Sequence, residues 1–126
     1  MLDDAYRACP LKASRNPFTC GLSGKTFTAV ELVDRVEFLA RALSKEFEWH
    51  PNKGTEFDKV VGIFSLNTVD LMTLAYATHR LNGIASPANA AYSAAELEFQ
   101  LKNCGATVLF TVCDLACPQQ IYELIL

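Results

Sequence analysis

The 126 residues are 51% hydrophobic and 20% charged, with a formal net charge of −3. This composition excludes a disordered tail and supplies enough apolar mass for one domain with a core. No run of Lys or Arg suits nucleic acid or an anionic membrane, and no apolar stretch approaches the roughly 20 residues of a membrane span.

Residues 1–18 contain Pro10, Pro17 and scattered charges without a sustained period, which predicts an irregular lead-in. The domain organisation expected is a lead-in over 1–23 followed by one α/β unit over 24–126. Residues 21–27 read as a turn followed by a short extended piece. Thr28 and Glu31 then have the spacing of a capping box, flanked by Phe27 and Leu32 as its hydrophobic staple. Leu32, Val36, Leu39, Leu43 and Phe47 fall at helical spacing, with Asp34, Arg35, Arg41 and Lys45 mainly away from them.

Residues 49–59 read as a polar loop carrying Pro51 and Gly54. Residues 60–65 are apolar on both alternating faces, which predicts a strand covered on both sides, as in a parallel sheet. Asn67 is placed to cap the next helix, over residues 68–82, with Asp70 near its positive end. On that helix Asp70, Thr73 and Arg80 lie together, while Leu71, Met72, Leu74, Ala75, Tyr76 and Leu81 cover most of the remainder. So narrow a polar face predicts a helix covered by more protein than this chain supplies. Gly83 stands where a left-handed helix stop is expected.

Residues 84–86 form a short strand ended by Pro87. Ser93 and Glu96 make a second capping box with Tyr92 and Leu97 as its staple, and Gly105 stops that helix after Cys104. Residues 107–112 are another apolar, β-branched run, hence another buried strand, and the chain closes on I-Y-E-L-I-L. Strand and helix alternate, so the fold class is α/β, with parallel strands and helices on both faces.

The pattern most suggestive of chemistry is T-C-G-L-S-G-K-T over residues 19–26, which ends like a phosphate-binding loop. That loop needs Gly where Thr19 stands, a buried strand before it and a helix opening at Lys25. S-R-N-P-F precedes it and the helix cap comes only at Thr28, so a glycine turn leading into an edge strand is the preferred reading. His50 reads as a solvated loop residue and His79 as a packed or helix-end one. Neither has a partner nucleophile or carboxylate in sequence reach. Cys113 and Cys117 lack the second pair or nearby His of a zinc site. Core packing is the default for the Tyr and Phe residues. No residue is assigned as catalytic, cofactor-binding or metal-ligating. The five cysteines (Cys9, Cys20, Cys104, Cys113, Cys117) are odd in number and irregularly spaced, and no secretion signal precedes them. They are expected to be reduced thiols in an intracellular protein.

Four stretches, in order, resemble the N-terminal part of the adenylate-forming superfamily, especially acyl-CoA synthetases of the 4-coumarate–CoA ligase type. K-T-F-T-A-V-E-L (25–32) is similar to a strand-into-helix segment ending T-Y-x-E-L. V-V-G-I-F-S-L-N-T-V-D-L (60–71) is similar to a strand followed by L-x-N-S-x-E-F. R-L-N-G-I-A-S-P-A-N-A-A-Y-S-A-A-E-L (80–97) resembles A-G-A followed by N-P-x-Y-T-x-x-E-L, and is nearest to fungal members. L-K-N-C-G-A-T-V-L-F-T (101–111) resembles a K-x-S-G-A-K segment followed by two apolar residues. Ala90 departs from the usual Pro after Asn89, and Asn82 and Ile84 flank Gly83 where small residues are common.

The resemblance implies a parent enzyme that joins a carboxylic acid to ATP, releases pyrophosphate and passes the acyl-adenylate to coenzyme A, with Mg2+ at the phosphates. The Ser/Thr/Gly-rich loop ending P-K-G, the aromatic–G-x-T-E and T-G-D segments and the C-terminal lysine that the family uses do not occur in this sequence. The chain therefore reads as a truncated N-terminal part of such an enzyme, inactive and binding no cofactor by itself. The parent's partners would be the acid, ATP and coenzyme A, without nucleic acid or a membrane span, in the cytoplasm or the peroxisome. A regulatory binding module, an independent small nucleotide-binding α/β domain and a decayed gene product remain as alternatives.

Overall fold

The computed structural model describes residues 10–21 and 23–111. A single 3-10 turn over Leu11–Ala13 precedes β1 (Phe18–Thr19), which pairs antiparallel with β2 (Thr26–Phe27). The hairpin crosses the 23/24 boundary, so the lead-in contributes a strand that S-R-N-P-F conceals.

The capping box forms at the start of α1 (Ala29–Phe47) as its spacing requires. The Glu31 N–H donates to the Thr28 hydroxyl at 3.2 Å, and the Thr28 N–H donates to the Glu31 carboxylate at 2.8 Å. Leu32, Val36, Ala40 and Leu43 are buried, with Leu39 and Phe47 packed at the margin. Each large apolar side chain buried this way contributes about 1.5–3 kcal/mol. The Arg35–Asp70 and Arg80–Glu37 ion pairs also link this helix to the next one, and both are exposed. Exposed pairs are worth only about 0–1 kcal/mol each, so apolar packing decides how the helices sit.

β3 (Val60–Phe64) is buried along its whole length, as its unbroken apolar run predicts. It is the centre of a three-stranded parallel sheet in the order β4-β3-β5. Val61 and Ile63 pack with α1 and with α2 (Val69–Arg80), while Phe64 packs on the other side with Leu97 of α3 (Ala94–Cys104). Helices therefore lie on both faces. Between those positions Gly62 admits α3 to the sheet, because a Cβ there would lie 2.5 Å from the Leu101 Cδ2.

Three expectations about α2 and its ends change. The N-cap is Thr68, whose hydroxyl accepts the Leu71 N–H at 3.3 Å, and Asn67 stands outside the helix. Thr73 leaves the polar face and is buried, at 4% exposure. Its hydroxyl donates to the Val69 carbonyl at 3.0 Å, so the side chain reaches the interior with its polar atom satisfied. At the other end Asn82, not Gly83, takes the left-handed conformation, with φ 57°. The Asn82 and Gly83 N–H groups donate to the His79 and Thr78 carbonyls, closing the helix. Gly83 is required for closeness instead, since a Cβ would stand 2.6 Å from the Lys59 carbonyl oxygen.

β4 (Ile84–Ala88) runs through Pro87 instead of ending before it. The Ile84 N–H donates to the Lys59 carbonyl, so 84, 86 and 88 face β3 while Ala85 and Pro87 turn outward. Proline is tolerated at such a position because no sheet partner needs its N–H. The Ser93–Glu96 capping box opens α3, and Gly105, with φ 66°, closes it. β5 (Val108–Thr111) is parallel to β3 but half-buried, not buried as expected. Residue 112, the Cys113–Cys117 spacing and the apolar close I-Y-E-L-I-L lie outside the described residues, as do residues 1–9.

The aromatic residues do not all serve the core. Phe38, Phe57 and Phe99 are 77%, 69% and 72% exposed. The loop over 49–59 is also more ordered than its polarity suggests. Trp49 packs at a tilt of 37° against Phe47 with ring centroids 5.1 Å apart, and Thr55 and Asp58 make a third capping box around a 3-10 turn over Glu56–Asp58. Lys59, at the end of that loop, is 1% exposed. Its ammonium donates to the His50 carbonyl at 2.7 Å and to the Leu81 carbonyl at 3.0 Å, placing a cation at the negative end of α2.

Candidate functional site

Open α/β sheets present their ligand crevices outside the carboxyl ends of the strands, so that end of β3 and β5 is the place to look. A cavity of about 260 Å³ opens there. Ile63 and Ser65 line it from β3 and the turn after it, Phe110 and Thr111 from β5, Thr68, Asp70, Leu71 and Leu74 from the first turns of α2, and Leu39 from α1. The walls are apolar, because the strand ends and the inner faces of both helices are apolar. The hydroxyls belong to residues just past the strand runs or at the helix cap.

The polar groups in the cleft are already engaged. The Thr68 hydroxyl caps α2, the Ser65 hydroxyl donates to the Leu66 carbonyl at 2.9 Å, and the Asp70 carboxylate pairs with Arg35. Asp70 lies in the first turn of α2, where an incoming phosphate would otherwise meet the free N–H groups. A carboxylate there opposes a nucleotide triphosphate. A cavity this size also falls below the usual 300–1,000 Å³ of small-molecule pockets. The arrangement therefore fits an apolar group and offers no phosphate cradle.

Both histidines lie at the opposite end of the layer. His50 is tied through its carbonyl to Lys59, which also holds the carbonyl of Leu81, the C-cap of α2, and His79 is exposed in the last turn of that helix. His79 lies nine helical residues beyond Asp70 of the cleft, about 14 Å along the helix axis. No group of three or more His, Cys, Asp or Glu side chains able to hold a metal occurs among the described residues. No helix among them is long and apolar enough to cross a membrane.

The glycine turn inside T-C-G-L-S-G-K-T joins the two strands of the hairpin. The Cys20 N–H donates to the Lys25 carbonyl at 2.8 Å, and the Gly24 N–H to the Cys20 carbonyl at 2.8 Å. The Lys25 ammonium lies over the Phe27 ring, 4.8 Å from its centroid. The helix that follows starts at Ala29, so Lys25 does not open it. This is the turn-and-edge-strand reading, and it removes the sequence feature behind an independent nucleotide-binding domain. The cleft was not assigned as a site from the sequence, although Ile63, Ser65, Thr68, Asp70 and Leu71 of its lining all lie in the 60–71 stretch. A hydroxyl residue also closes each apolar run there, Ser65 after β3 and Thr111 at the end of β5.

The AMP-binding enzyme family model matches residues 10–124. Among curated relatives, the acyl-CoA ligase easD of Emericella nidulans is 45% identical over 102 residues, covering 81% of this chain and 18% of the relative. The acyl-CoA ligase frbB of Dothideomycetidae sp. is 46% identical over 95 residues, covering 75% and 17%. The chain thus spans less than one-fifth of the length of the relatives it matches. In solved structures, MatB from Rhodopseudomonas palustris, without ligand and with ATP bound, superposes with a TM-score of 0.67 at 20% identity. That match covers 82% of this chain and 19% of MatB, and likeness at this identity speaks to the fold alone. Sequence match over almost the whole chain and the shared α/β fold agree: this chain belongs to the AMP-binding enzyme family.

Proposed function

We propose that residues 24–126, with the β1 strand of the 1–23 lead-in, are the N-terminal scaffold of an acyl-CoA ligase. The observation that carries this is the continuous match, at 45% identity, to a fungal acyl-CoA ligase. In the proposed reaction a carboxylate oxygen of the acid attacks the α-phosphorus of ATP and pyrophosphate leaves. The coenzyme A thiol then attacks the acyl carbonyl of the adenylate, and AMP leaves as the thioester forms.

Charge developing at the phosphates needs preorganised donors or a metal such as Mg2+. The described residues do not fit a metal–phosphate site, since the carboxylate at the cleft is already paired with Arg35. Those groups are therefore assigned to other parts of the enzyme. The role proposed for this segment is mechanical, with the α1–α2 layer fixing the sheet on which the acyl and nucleotide sites are completed. Residence in the cytoplasm or the peroxisome belongs to the same reading, supported by the irregular cysteine spacing.

The test replaces the matching segment of Emericella nidulans easD with residues 10–111 and follows acid-dependent exchange of pyrophosphate into ATP. Exchange within about tenfold of the parent enzyme is expected, a change of about 1.4 kcal/mol in the barrier. A folded, soluble chimera without exchange would sink the reading.

A further inference from the structure

Burying a charge is costly unless hydrogen bonds compensate, so a buried lysine marks a point the fold holds firmly. Lys59 is 1% exposed, and its ammonium binds the His50 carbonyl at 2.7 Å and the Leu81 carbonyl at 3.0 Å. Those carbonyls come from separate segments, so the cation ties the 49–59 loop to the carboxyl end of α2. The two residues after Leu81 are Asn82 and Gly83, the only Asn–Gly pair in the chain.

This dipeptide can modify itself. The backbone nitrogen that follows an asparagine can attack its side-chain Cγ, and a glycine presents that nitrogen with no side chain in the way. Here a bond would form between the Gly83 nitrogen and the Asn82 Cγ while the Cγ–Nδ2 bond breaks. The proton of the attacking nitrogen leaves with the departing amide, which becomes ammonia. Water then adds to either carbonyl of the succinimide ring and opens it, giving aspartate or isoaspartate. Both steps proceed without oxidant, metal or cofactor.

The fold supplies both the reactive pair and its restraint. Asn82 is exposed, and no group among the described residues hydrogen-bonds its side-chain amide. Asn89, by contrast, uses its amide oxygen to accept the Ala91 N–H at 3.0 Å. The restraint falls on the nucleophile. The Gly83 N–H donates to the Thr78 carbonyl at 3.0 Å, and Asn82 is held left-handed with φ 57°. Ring closure requires rotation about the Asn82 Cα–C bond, which this turn blocks. The reaction therefore waits for the carboxyl end of α2 to open, and Lys59 grips the residue next to the reactive pair.

We propose that Asn82–Gly83 is a self-modification site, at which Asn82 becomes aspartate or isoaspartate when the end of α2 opens, with the Lys59 ammonium as the latch that keeps it shut. The change runs one way, because either product weakens the closure. Isoaspartate adds one carbon to the main chain just before Ile84, whose N–H must meet the Lys59 carbonyl at 3.0 Å. Aspartate keeps the length and sets a carboxylate at the negative end of α2.

The test incubates the 126-residue chain in mildly alkaline buffer and follows residue 82 by peptide mass mapping, with Asn52 and Asn89 as references in the same sample. In urea-unfolded chain Asn82 should convert at least about tenfold faster than either reference, and in folded chain at least about tenfold slower than in urea. Lys59→Met keeps an unbranched stem and removes the cation. It should speed conversion in the folded chain, and amide exchange of Gly83 with it, by at least about tenfold. Should Lys59→Met not fold, urea below the unfolding transition opens the wild-type helix end instead, and conversion should rise in step with Gly83 exchange. Equal conversion of Asn82 in folded and unfolded chain overturns the proposal, as does a folded Lys59→Met chain that converts at the wild-type rate. Conversion that fails to follow Gly83 exchange overturns it as well.

Discussion

The two faces of the sheet are unequally built. On one, α1 and α2 enclose Leu32, Val36, Ala40, Leu43, Val61, Ile63, Leu74, Ala77 and Leu81 in a continuous core. On the other, α3 buries only Leu97 against Phe64 and Ala88, with Leu101 and Leu109 at the margin, and turns Phe99 to solvent. The first face is a finished hydrophobic layer. The second has the anchoring contact of such a layer without its breadth. Local sequence signals are equally strong on both sides, since α1 and α3 each begin with a complete capping box. Capping therefore sets where a helix starts, and the area available to cover sets how firmly it is held.

The largest test of this contrast is a matched pair of truncations. Leu43→Ala and Leu97→Ala remove the same atoms from positions of nearly equal burial, 3% and 2% exposed. In the enclosed layer the cavity cannot collapse, and Leu43→Ala should cost about 3–5 kcal/mol in urea unfolding. At the thinner face the helix can settle toward the sheet, and Leu97→Ala should cost about 2–3 kcal/mol. Equal losses would mean the two faces are packed alike.

A second pair probes how closely α3 approaches the sheet. Gly62→Ala sets a methyl against the Leu101 Cδ2, and the Leu109 Cδ1 lies 3.3 Å from the same point. The cost should be about 1–3 kcal/mol, the range for overpacking. Combining it with Leu101→Ala should recover part of the loss, a coupling of about 0.5–2 kcal/mol in a double-mutant cycle. Additive losses would show that α3 is already free to move away from β3.

These positions also show what could be read from the chain. The helix starts at Thr28 and Ser93, the stop at Gly105 and the buried strand from Val60 were legible because each depends on residues within a few positions. Gly83 is legible as a boundary, but the left-handed turn belongs to Asn82. The constraint on Gly83 comes from Lys59, 24 positions earlier and brought near by strand pairing. Thr73 and Lys59 look like surface residues in any local window. Both are buried because nearby carbonyls satisfy their polar atoms, a fact available only in three dimensions. Pro87 looked like a terminator because its tolerance depends on which side of β4 is the edge. The cleft was invisible for a related reason: its lining comes from four separate elements, and only the 60–71 stretch supplies more than one of its hydroxyls, Ser65 and Thr68.

Helix caps offer a finer comparison. Thr28→Ala and Ser93→Ala each delete one hydroxyl that accepts a first-turn N–H, worth about 1 kcal/mol. If α3 is the less firmly held helix, Ser93→Ala should accelerate amide exchange in residues 94–104 alone, through local opening. Thr28→Ala should instead lower the global stability and change exchange throughout the α1–α2 layer. Global effects from both would make α3 part of the same cooperative unit.

The smallest effect is in the pH dependence, and it bears on the same two caps. Glu31 and Glu96 are held below the usual carboxylate range, chiefly by hydrogen bonds from Thr28 and Ser93 respectively. For Glu31 the backbone N–H of Thr28 leads, and for Glu96 the Ser93 hydroxyl does. A carboxylate whose folded pKa is depressed stabilises the fold above its unfolded value of about 4.3, and that contribution fades as pH falls through the folded pKa. Melting temperature should therefore decline on acidification below about pH 4.3, and Glu31→Gln should flatten part of that decline. Glu96→Gln should leave the global melt nearly unchanged and instead flatten the acid-driven rise in amide exchange within α3. A flattened global melt in both variants would mean that the thinner face unfolds only with the whole, and that its exposed apolar surface does not loosen its hold on the sheet.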